Sequence, residues 1–277
     1  MGLLSLGNDP FPSSTPWSGE ARDVLARAIH RHGGWATWQA VVGLALVPSS
    51  VRGVLPALKG LGKTFPLPRR IEVWPRDAVA VFHDYPAEAG RGVFSSGRVE
   101  LLDAAGSVTA RRDDPRRSFQ GWRKHRRWSP LDALYFFGYA LTHYHGLPFT
   151  LVDGEPLRLR SASVGGRRLR GVEVRLPPEL HTHSRTQTFY FEDDGLLRRH
   201  DYVAEVVGTW ARGAHLWDDF VPVGGLPVAR RRRVLARVGR IAVPAAVLHA
   251  DFEAVAPVAL GPPALEGALR PAVPGTL

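Results

Sequence analysis

Cysteine is absent from this sequence of 277 residues, which excludes disulfide bonds, thiolate nucleophiles and cysteine-ligated zinc or iron–sulfur centres. Lysine occurs only three times, so arginine carries almost all of the basic charge behind the net value of +10. Hydrophobic residues make up 44% and charged residues 22%, proportions at which a globular core can form. The composition indicates an ordinary soluble chain of one large domain or two small ones.

Signals for export and for membrane insertion are weak. The first seventeen residues, MGLLSLGNDPFPSSTPW, have no basic start, and polar residues, glycine and proline interrupt their apolar stretch, so they make a poor secretory signal. The longest uncharged run, residues 33–51, is too short and too polar to span a bilayer. We therefore expect a cytoplasmic protein without a membrane-spanning segment.

Motifs for the common catalytic chemistries are also missing. The chain has no Walker A motif, no GxGxxG, no GxSxG nucleophile elbow and no HExxH zinc motif. The usual sequence signatures of nucleotide-driven, redox and serine-hydrolase reactions are therefore absent from this chain. The sequence predicts neither a cofactor nor a metal ion.

Arginine clusters raise nucleic acid as a partner, because clustered cations gain affinity by releasing phosphate counterions. The densest runs are Arg230 to Arg233 and WRKHRRW, from Trp122 to Trp128, whose aromatic rings could stack on bases. No recognition helix and no RNP-like pattern accompanies these runs. We expect these arginines to lie on a solvated surface, paired with carboxylates, and not to bind nucleic acid. Nucleic acid binding stays the second alternative.

Hydrophobic periodicity predicts strands and one helix in the first part of the chain. Apolar residues at helical spacing predict a helix over 18–32, with Ser18 as its N-cap and Gly33–Gly34 as its end. Six short β-rich segments follow between residues 41 and 112. A long loop or short helix is expected over 51–68, where glycine and proline are frequent.

A second helix, PLDALYFFGYALTHYHG over residues 130–146, separates these strands from seven more between residues 157 and 255. Ser129 caps it and Gly146 ends it before Pro148. The helix is apolar almost all round, so we expect it to be buried against a concave surface.

This order of elements predicts an α+β fold, a single curved antiparallel sheet of about ten strands wrapped around the central helix. Such a half-barrel leaves a groove or cavity at one mouth, the usual place for a ligand. We expect a flexible leader over residues 1–17, one half-barrel domain over 18–256 and a disordered tail over 257–277.

Four segments carry a resemblance to known proteins: HGGWATWQAV, RDDPRRSF, LYFFGYAL and THSRTQTFYFEDDGLLRRHDYVAEVVG. Over about residues 20–255 the chain resembles a widespread group of uncharacterised bacterial proteins with a LolA-like fold, the lipocalin-like half-barrel of lipoprotein carriers. The resemblance implies a curved antiparallel sheet that wraps helices around an apolar cavity. It implies no particular reaction.

Residues 185–206, RTQTFYFEDDGLLRRHDYVAEV, predict a β-hairpin with a two-residue type I′ turn at Asp194-Gly195. In that register Phe189 lies opposite His200, and side chains alternate between the two faces. One face combines aromatic walls with an imidazole and a phenol, as a ligand-facing surface would: Gln187, Phe189, Phe191, Arg198, His200 and Tyr202. On the other face we expect Arg199 and Asp201 to form an ion pair.

Histidines occur in pairs elsewhere. His181 and His183 are two apart, which on a strand is a spacing used by metal sites, although a turn fits the HTH stretch equally well. His143 and His145 diverge by about 200° on a helix and cannot chelate one ion together.

Further aromatic and polar side chains extend the candidate site. Either His143 or His145 could face the groove beside Tyr135 and Tyr139. Strand alternation places His215, Trp217 and Asp219 on one face, a second aromatic and acidic patch.

These residues predict a small-molecule-binding half-barrel with an apolar cavity. The predicted catalytic residues are His200, Tyr202, His183 and His215, and the predicted ligand-binding residues are Gln187, Phe189, Phe191, Arg198, Tyr135, Tyr139, His143 and Trp217. As an enzyme, the protein would be a cofactor-free cyclase, isomerase or lyase acting on a hydrophobic, natural-product-like substrate through an imidazole acid or base. The alternative is a non-catalytic carrier of lipid or another hydrophobic ligand, and the oligomeric state is left open.

Overall fold

The structure, a computed structural model, describes residues 10–61, 66–239 and 241–263. Within them the α-helices are Gly19–Arg31 (α1), Gly34–Ala40 (α2), Val54–Leu58 (α3) and Pro130–Gly146 (α4). Single turns of 3₁₀ helix cover Pro115–Phe119, Gly121–His125 and Phe149–Asp153.

Thirteen strands lie in the same described ranges. The first six are Gly43–Arg52 (β1), Arg70–Trp74 (β2), Val79–His83 (β3), Arg91–Ser95 (β4), Arg98–Leu102 (β5) and Val108–Arg112 (β6). The others are Glu155–Val164 (β7), Arg167–Arg175 (β8), Thr186–Phe191 (β9), Leu197–Val203 (β10), Arg212–Val223 (β11), Leu226–Val238 (β12) and Ile241–Val258 (β13).

The described strands form one antiparallel sheet built from two meanders. Its order is β6-β5-β4-β3-β2-β1-β13-β12-β11-β10-β9-β8-β7. The first meander runs from the middle of the sheet to one edge, and the second runs from the other edge back to the middle, where β13 pairs with β1. Helix α4 is the connection between the two edges, which is why it crosses one face of the whole sheet.

The sheet curves around α4. Gly138 of α4 lies against Phe94 of β4, and five residues later the His143 ring lies 6.2 Å from that of Phe189 on β9. Strands β4 and β9 are eight places apart, about 38 Å in a flat sheet, whereas five residues of helix rise only about 7.5 Å. The predicted α+β fold, a curved antiparallel sheet around a buried central helix, is confirmed.

Helix α4 is fixed at its N-terminus by the predicted cap. The Ser129 hydroxyl accepts from the backbone N–H of Asp132, and the Asp132 carboxylate accepts from the N–H of Ser129, a reciprocal capping box. Arg112 of β6 donates to the same carboxylate at 2.6 Å and so ties the helix to the sheet edge. Glycine is required at Gly138, because a Cβ there would lie 2.5 Å from the Phe94 side chain.

The β9–β10 hairpin has the predicted strand pairing but a different turn. His200 lies opposite Phe189 and Arg199 opposite Tyr190, as expected. The predicted two-residue type I′ turn is wrong: Glu192 pairs with Leu196 around a three-residue loop. An irregularity between Leu197 and Arg199 absorbs the extra residue.

Both ends of the described chain bear on the predicted domain limits. Phe11 and Trp17, inside the expected leader, are buried in the core, and β13 runs to Val258, past the start of the expected tail. Residues 1–9 and 264–277, the remainder of that leader and tail, lie outside the described residues. No described helix is both long and apolar enough to cross a membrane.

Candidate functional site

A cluster of imidazoles and phenols is buried between α4 and strands β9 to β11. We call it the inner cluster; its members are His143, Tyr144, His183, Gln187, His200, Tyr202 and His215, each at most 8% exposed. Strand alternation and register assemble it, since His200 lies opposite both Phe189 and His215, and alternate residues point to the same face. Helix α4, on the concave side of the sheet, contributes His143 and Tyr144.

His200 is enclosed on every side. Its ring stacks on Phe189, with centroids 4.6 Å apart, and its Nε2 is hydrogen-bonded to the side-chain oxygen of Gln187. The Gln187 amide nitrogen donates to Thr182 Oγ1 at 2.7 Å and to the Ser184 carbonyl at 2.6 Å. The amide oxygen is therefore the acceptor, and Nε2 of His200 carries the proton.

His183 links three tyrosines. Its Nδ1 lies 2.9 Å from the Tyr139 hydroxyl and its Nε2 lies 2.5 Å from the Tyr144 hydroxyl. Tyr144 donates onward to Tyr202 at 3.4 Å, and the Tyr202 ring stacks on His183 at 4.0 Å. A neutral imidazole satisfies both contacts, because one ring nitrogen accepts from Tyr139 while the other donates to Tyr144.

Burial keeps the imidazoles of the inner cluster neutral. It lowers the pKa of His143 to about 4, and with repulsion from neighbouring imidazoles and Arg232 it holds the pKa of His200 and His215 well below the usual range. Burial likewise raises the pKa of the Tyr144 and Tyr202 phenols. At neutral pH the cluster is a polar but uncharged network.

Arg232 of β12 is the cation of this region. It lies opposite Trp217 in the sheet, is 4% exposed, and its guanidinium lies 4.2 Å from the Trp217 ring centroid. Its Nη2 donates to Nε2 of His145 at 3.0 Å, and His145 in turn donates from Nδ1 to the Leu141 carbonyl. The Nε and Nη1 atoms of Arg232 are buried without a hydrogen-bond partner in the described part of the chain.

An apolar slot lies between α4 and the middle strands of the sheet. Its cavity volume is about 60 Å³, and it opens to solvent at its mouth; fourteen of the seventeen described residues that line it are apolar. Representative wall residues are Pro48, Ile71, Phe82, Phe137, Val234 and Phe252. Tyr144, His215 and Arg232 supply the polar groups. The apolar lining, rather than the size of the cavity, makes the slot suited to a hydrophobic guest.

Most of the predicted site residues come together under α4. The inner cluster contains His183, His200, Tyr202, His215, Gln187 and His143, with Phe189, Tyr139 and Trp217 in ring contact with it. Among the predicted residues only His215 lines the slot in the described structure. His200 lies behind the slot, with no exposed surface.

The remaining predicted residues lie apart from the slot. Tyr135 contacts His181 at 3.0 Å near the surface, and Phe191 packs in the core. Arg198 pairs with Glu192 at 2.8 Å. His181 and His183 lie in the loop before β9 and contact different tyrosines, so the strand geometry expected for a metal pair is not formed; no group of three metal-ligating side chains occurs in the described ranges.

The two other polar residues of the slot, Tyr144 and Arg232, are missing from the predicted site. Tyr144 follows His143 on α4, where the pattern of the helix gave no reason to single it out. Arg232 had a readable signal. In the run PVARRRRVLAR, Arg230 and Arg232 share the parity of Val228 and Val234, so alternation places both on the face of these valines, and of the two Arg232 is buried.

No protein-family model and no curated protein matches the chain. Among solved structures it is similar to a LolA superfamily protein from Nitrosomonas europaea, with a TM-score of 0.49 and 11% identity over 88% of this chain and 96% of that one. It is also similar to a DUF1329 family protein from Desulfovibrio piger, with a TM-score of 0.47 and 13% identity over 87% of this chain and 94% of that one. At these identities the likeness concerns the fold alone.

Proposed function

We propose that this protein binds a hydrophobic small molecule in the apolar slot between α4 and the middle of the sheet. The observation that carries the proposal is the slot lining, in which apolar side chains from the helix face apolar side chains from β2, β3, β12 and β13. Transfer of a hydrocarbon group from water into such walls is favourable by about 25 cal/mol per Å² of apolar surface. A carrier needs these walls and no titrating group.

Proton-transfer catalysis by His200, the finer hypothesis from the sequence, gains no support from this arrangement. The ring has no exposed surface and its Nε2 is engaged by Gln187. His215 borders the slot, but burial holds the pKa of its imidazole well below 6.5, which makes it a weak base. Binding is therefore the function we propose.

The test fills the slot from the sheet side. Ala250 of β13 lines the slot, whereas Ala254 on the same strand is exposed. Binding of the neutral fluorescent probe N-phenyl-1-naphthylamine would be titrated with the wild type, Ala250→Phe and Ala254→Phe. We expect Ala250→Phe to weaken binding on the order of tenfold, because its ring takes the space of the probe, and Ala254→Phe to leave the Kd unchanged.

Circular dichroism establishes that both variants are folded before the titration. Equal Kd values for all three proteins would place the probe outside the slot and refute the proposal. So would the absence of any saturable binding by the wild type.

A further inference from the structure

The buried guanidinium of Arg232 has no acid to pair with. Nearby arginines of the same strand are paired at the surface: Arg230 with Asp219 at 2.9 Å and Arg233 with Asp218 at 2.8 Å. For Arg232 no carboxylate lies within ion-pair distance in the ranges the structure describes, and His145 accepts a single hydrogen bond from it. Two of its nitrogens, Nε and Nη1, are buried without a partner.

Arg232 is a cation at neutral pH. Burial lowers the pKa of Arg232 only to about 10, and the imidazole of His145 beside it is neutral because burial lowers its pKa to about 3. A buried cation without an anion is costly, and proteins ordinarily pair or replace it. The aromatic rings of Trp217 and Tyr144 lie within cation–π reach but supply no negative charge.

Arg232 lies where its unpaired nitrogens can donate hydrogen bonds to a ligand in the slot. Arg232 lines the slot whose other walls are apolar, and it does so beside His215, both of whose ring nitrogens also lack hydrogen-bond partners. In the sheet, His215 is the diagonal neighbour of Arg232, since Arg232 lies opposite Trp217 and Val234 lies opposite His215. The apolar walls of the slot therefore adjoin two side chains, Arg232 and His215, that have nitrogen atoms without hydrogen-bond partners.

We propose that the ligand of the slot is an anionic amphiphile, a long-chain carboxylate whose head group accepts hydrogen bonds from the guanidinium of Arg232, with His215 as an additional donor. Its hydrocarbon tail lies along the apolar walls toward Pro48 and Phe137. A guanidinium holds a carboxylate by charge-assisted hydrogen bonds, the strong class of such bonds. This proposal rests on the proposed function of the slot and names the chemical class of its guest.

The experiment compares two ligands of equal chain length, dodecanoate and 1-dodecanol, as competitors of N-phenyl-1-naphthylamine at pH 8. The proteins are the wild type, Arg232→Met, Arg232→Gln and, as a surface control on the same strand, Arg231→Met. We expect the wild type and Arg231→Met to prefer dodecanoate on the order of tenfold or more. Both Arg232 variants lose this preference while their affinity for dodecanol changes less than about threefold.

Each outcome decides one claim. If the wild type binds both ligands equally, or if both Arg232 variants keep the preference, the head-group assignment is wrong while the slot stands. If neither ligand displaces the probe from the wild type, the slot itself is not the binding site. Thermal unfolding of each variant shows that it is folded, and a larger shift of the wild-type Tm by dodecanoate than by dodecanol gives the same preference without any substitution.

Discussion

The two faces of strands β10 to β12 treat buried charge differently. On the convex face Arg199 is 4% exposed and donates twice to Asp201, at 2.7 and 2.9 Å. On the concave face Arg232 is equally buried, and its neighbours are imidazoles, phenols and an indole. Among the described residues, no carboxylate lies within ion-pair distance of Arg232.

This difference separates a stabilising ion pair from a prepared site. Arg199 and Asp201 neutralise each other, so their burial serves the fold and leaves nothing for a ligand to do. The described concave face is built from groups that burial keeps neutral, and its buried cation, Arg232, has two nitrogens without a hydrogen-bond partner. Sites of function often carry such uncompensated groups, because a ligand completes them.

The largest expected effect is unfolding at acid pH, caused by protonation of the buried histidines on the concave face. The pKa values of His143, His183, His200 and His215 are lowered by burial, so below about pH 6.5 the unfolded chain binds more protons than the folded one. Stability that is complete above this pH is lost as the pH falls. At pH 5 the imidazole of His143, whose pKa is lowered to about 4, reduces the free energy of unfolding by about 2 kcal/mol, and the other three imidazoles act in the same direction.

Urea unfolding between pH 7.5 and pH 5 measures this loss. Removing one titrating group by His143→Leu should reduce the slope of the unfolding free energy against pH by up to about 1.4 kcal/mol per unit below pH 6.5. His30→Gln, on the exposed side of α1, should leave the slope unchanged. Stability that stays constant down to pH 5 would contradict the neutral inner cluster.

The next effect concerns the convex face. Arg199→Met removes the bidentate partner of Asp201 and leaves its buried carboxylate, among the described residues, with Arg237 alone, whose Nε lies 3.6 Å away. We expect a loss of about 3 kcal/mol, since breaking a buried pair strands a charge in the interior. The measurement is the urea midpoint at pH 7.5, and a change below about 0.5 kcal/mol would show that the pair is not a structural element.

Much of this contrast could be read from the sequence. Alternation in RRHDYV placed His200 and Tyr202 on one face and Arg199 with Asp201 on the other, because the side-chain period of a strand is two. The nearly uniform apolar character of 130–146 predicted a helix that the sheet must wrap. Both predictions depend on local patterns, and the structure confirms both.

Other features depended on contacts between distant segments. The slot arises where α4 meets strands separated from it by roughly 50 to 110 residues of chain, and no local pattern encodes that meeting. The prediction of the hairpin turn was wrong because two features cancel. The three-residue loop shifts the strand register by one residue, and the irregularity after Leu197 shifts it back, so the pairing beyond it is that of a two-residue turn. The HTH stretch forms a loop, since Pro177 and Pro178 precede it and its imidazoles bind tyrosines of α4.

A smaller effect compares the stability lost with a hydrogen bond in the interior and with one near the surface. Tyr139→Phe removes the donor to Nδ1 of His183 in a fully buried place, and we expect a loss of about 2 kcal/mol. Arg160→Gln on the convex face removes a bidentate bond to Glu173, but the pair is partly exposed and Arg158 also contacts Glu173, so we expect less than about 1 kcal/mol. Chemical unfolding of both variants at pH 7.5 gives the two values, and a larger loss for Arg160→Gln would reverse the comparison.

The smallest effect has the opposite sign and tests the comparison most directly. Arg232→Met makes the same exchange as Arg199→Met at an equally buried place, but it removes a cation that no described carboxylate balances and leaves a flexible apolar side chain beside Trp217. We expect the ligand-free variant to gain about 1 kcal/mol, because the desolvation cost of the guanidinium disappears. The loss of the bond to His145 and of the ring contacts opposes this gain and keeps it small. Delipidated protein must be used, since a bound anion would stabilise the wild type alone and hide the difference. A loss comparable to that of Arg199→Met would mean that Arg232 supports the fold as Arg199 does, and that the two faces of the sheet do not differ in how they hold a buried charge.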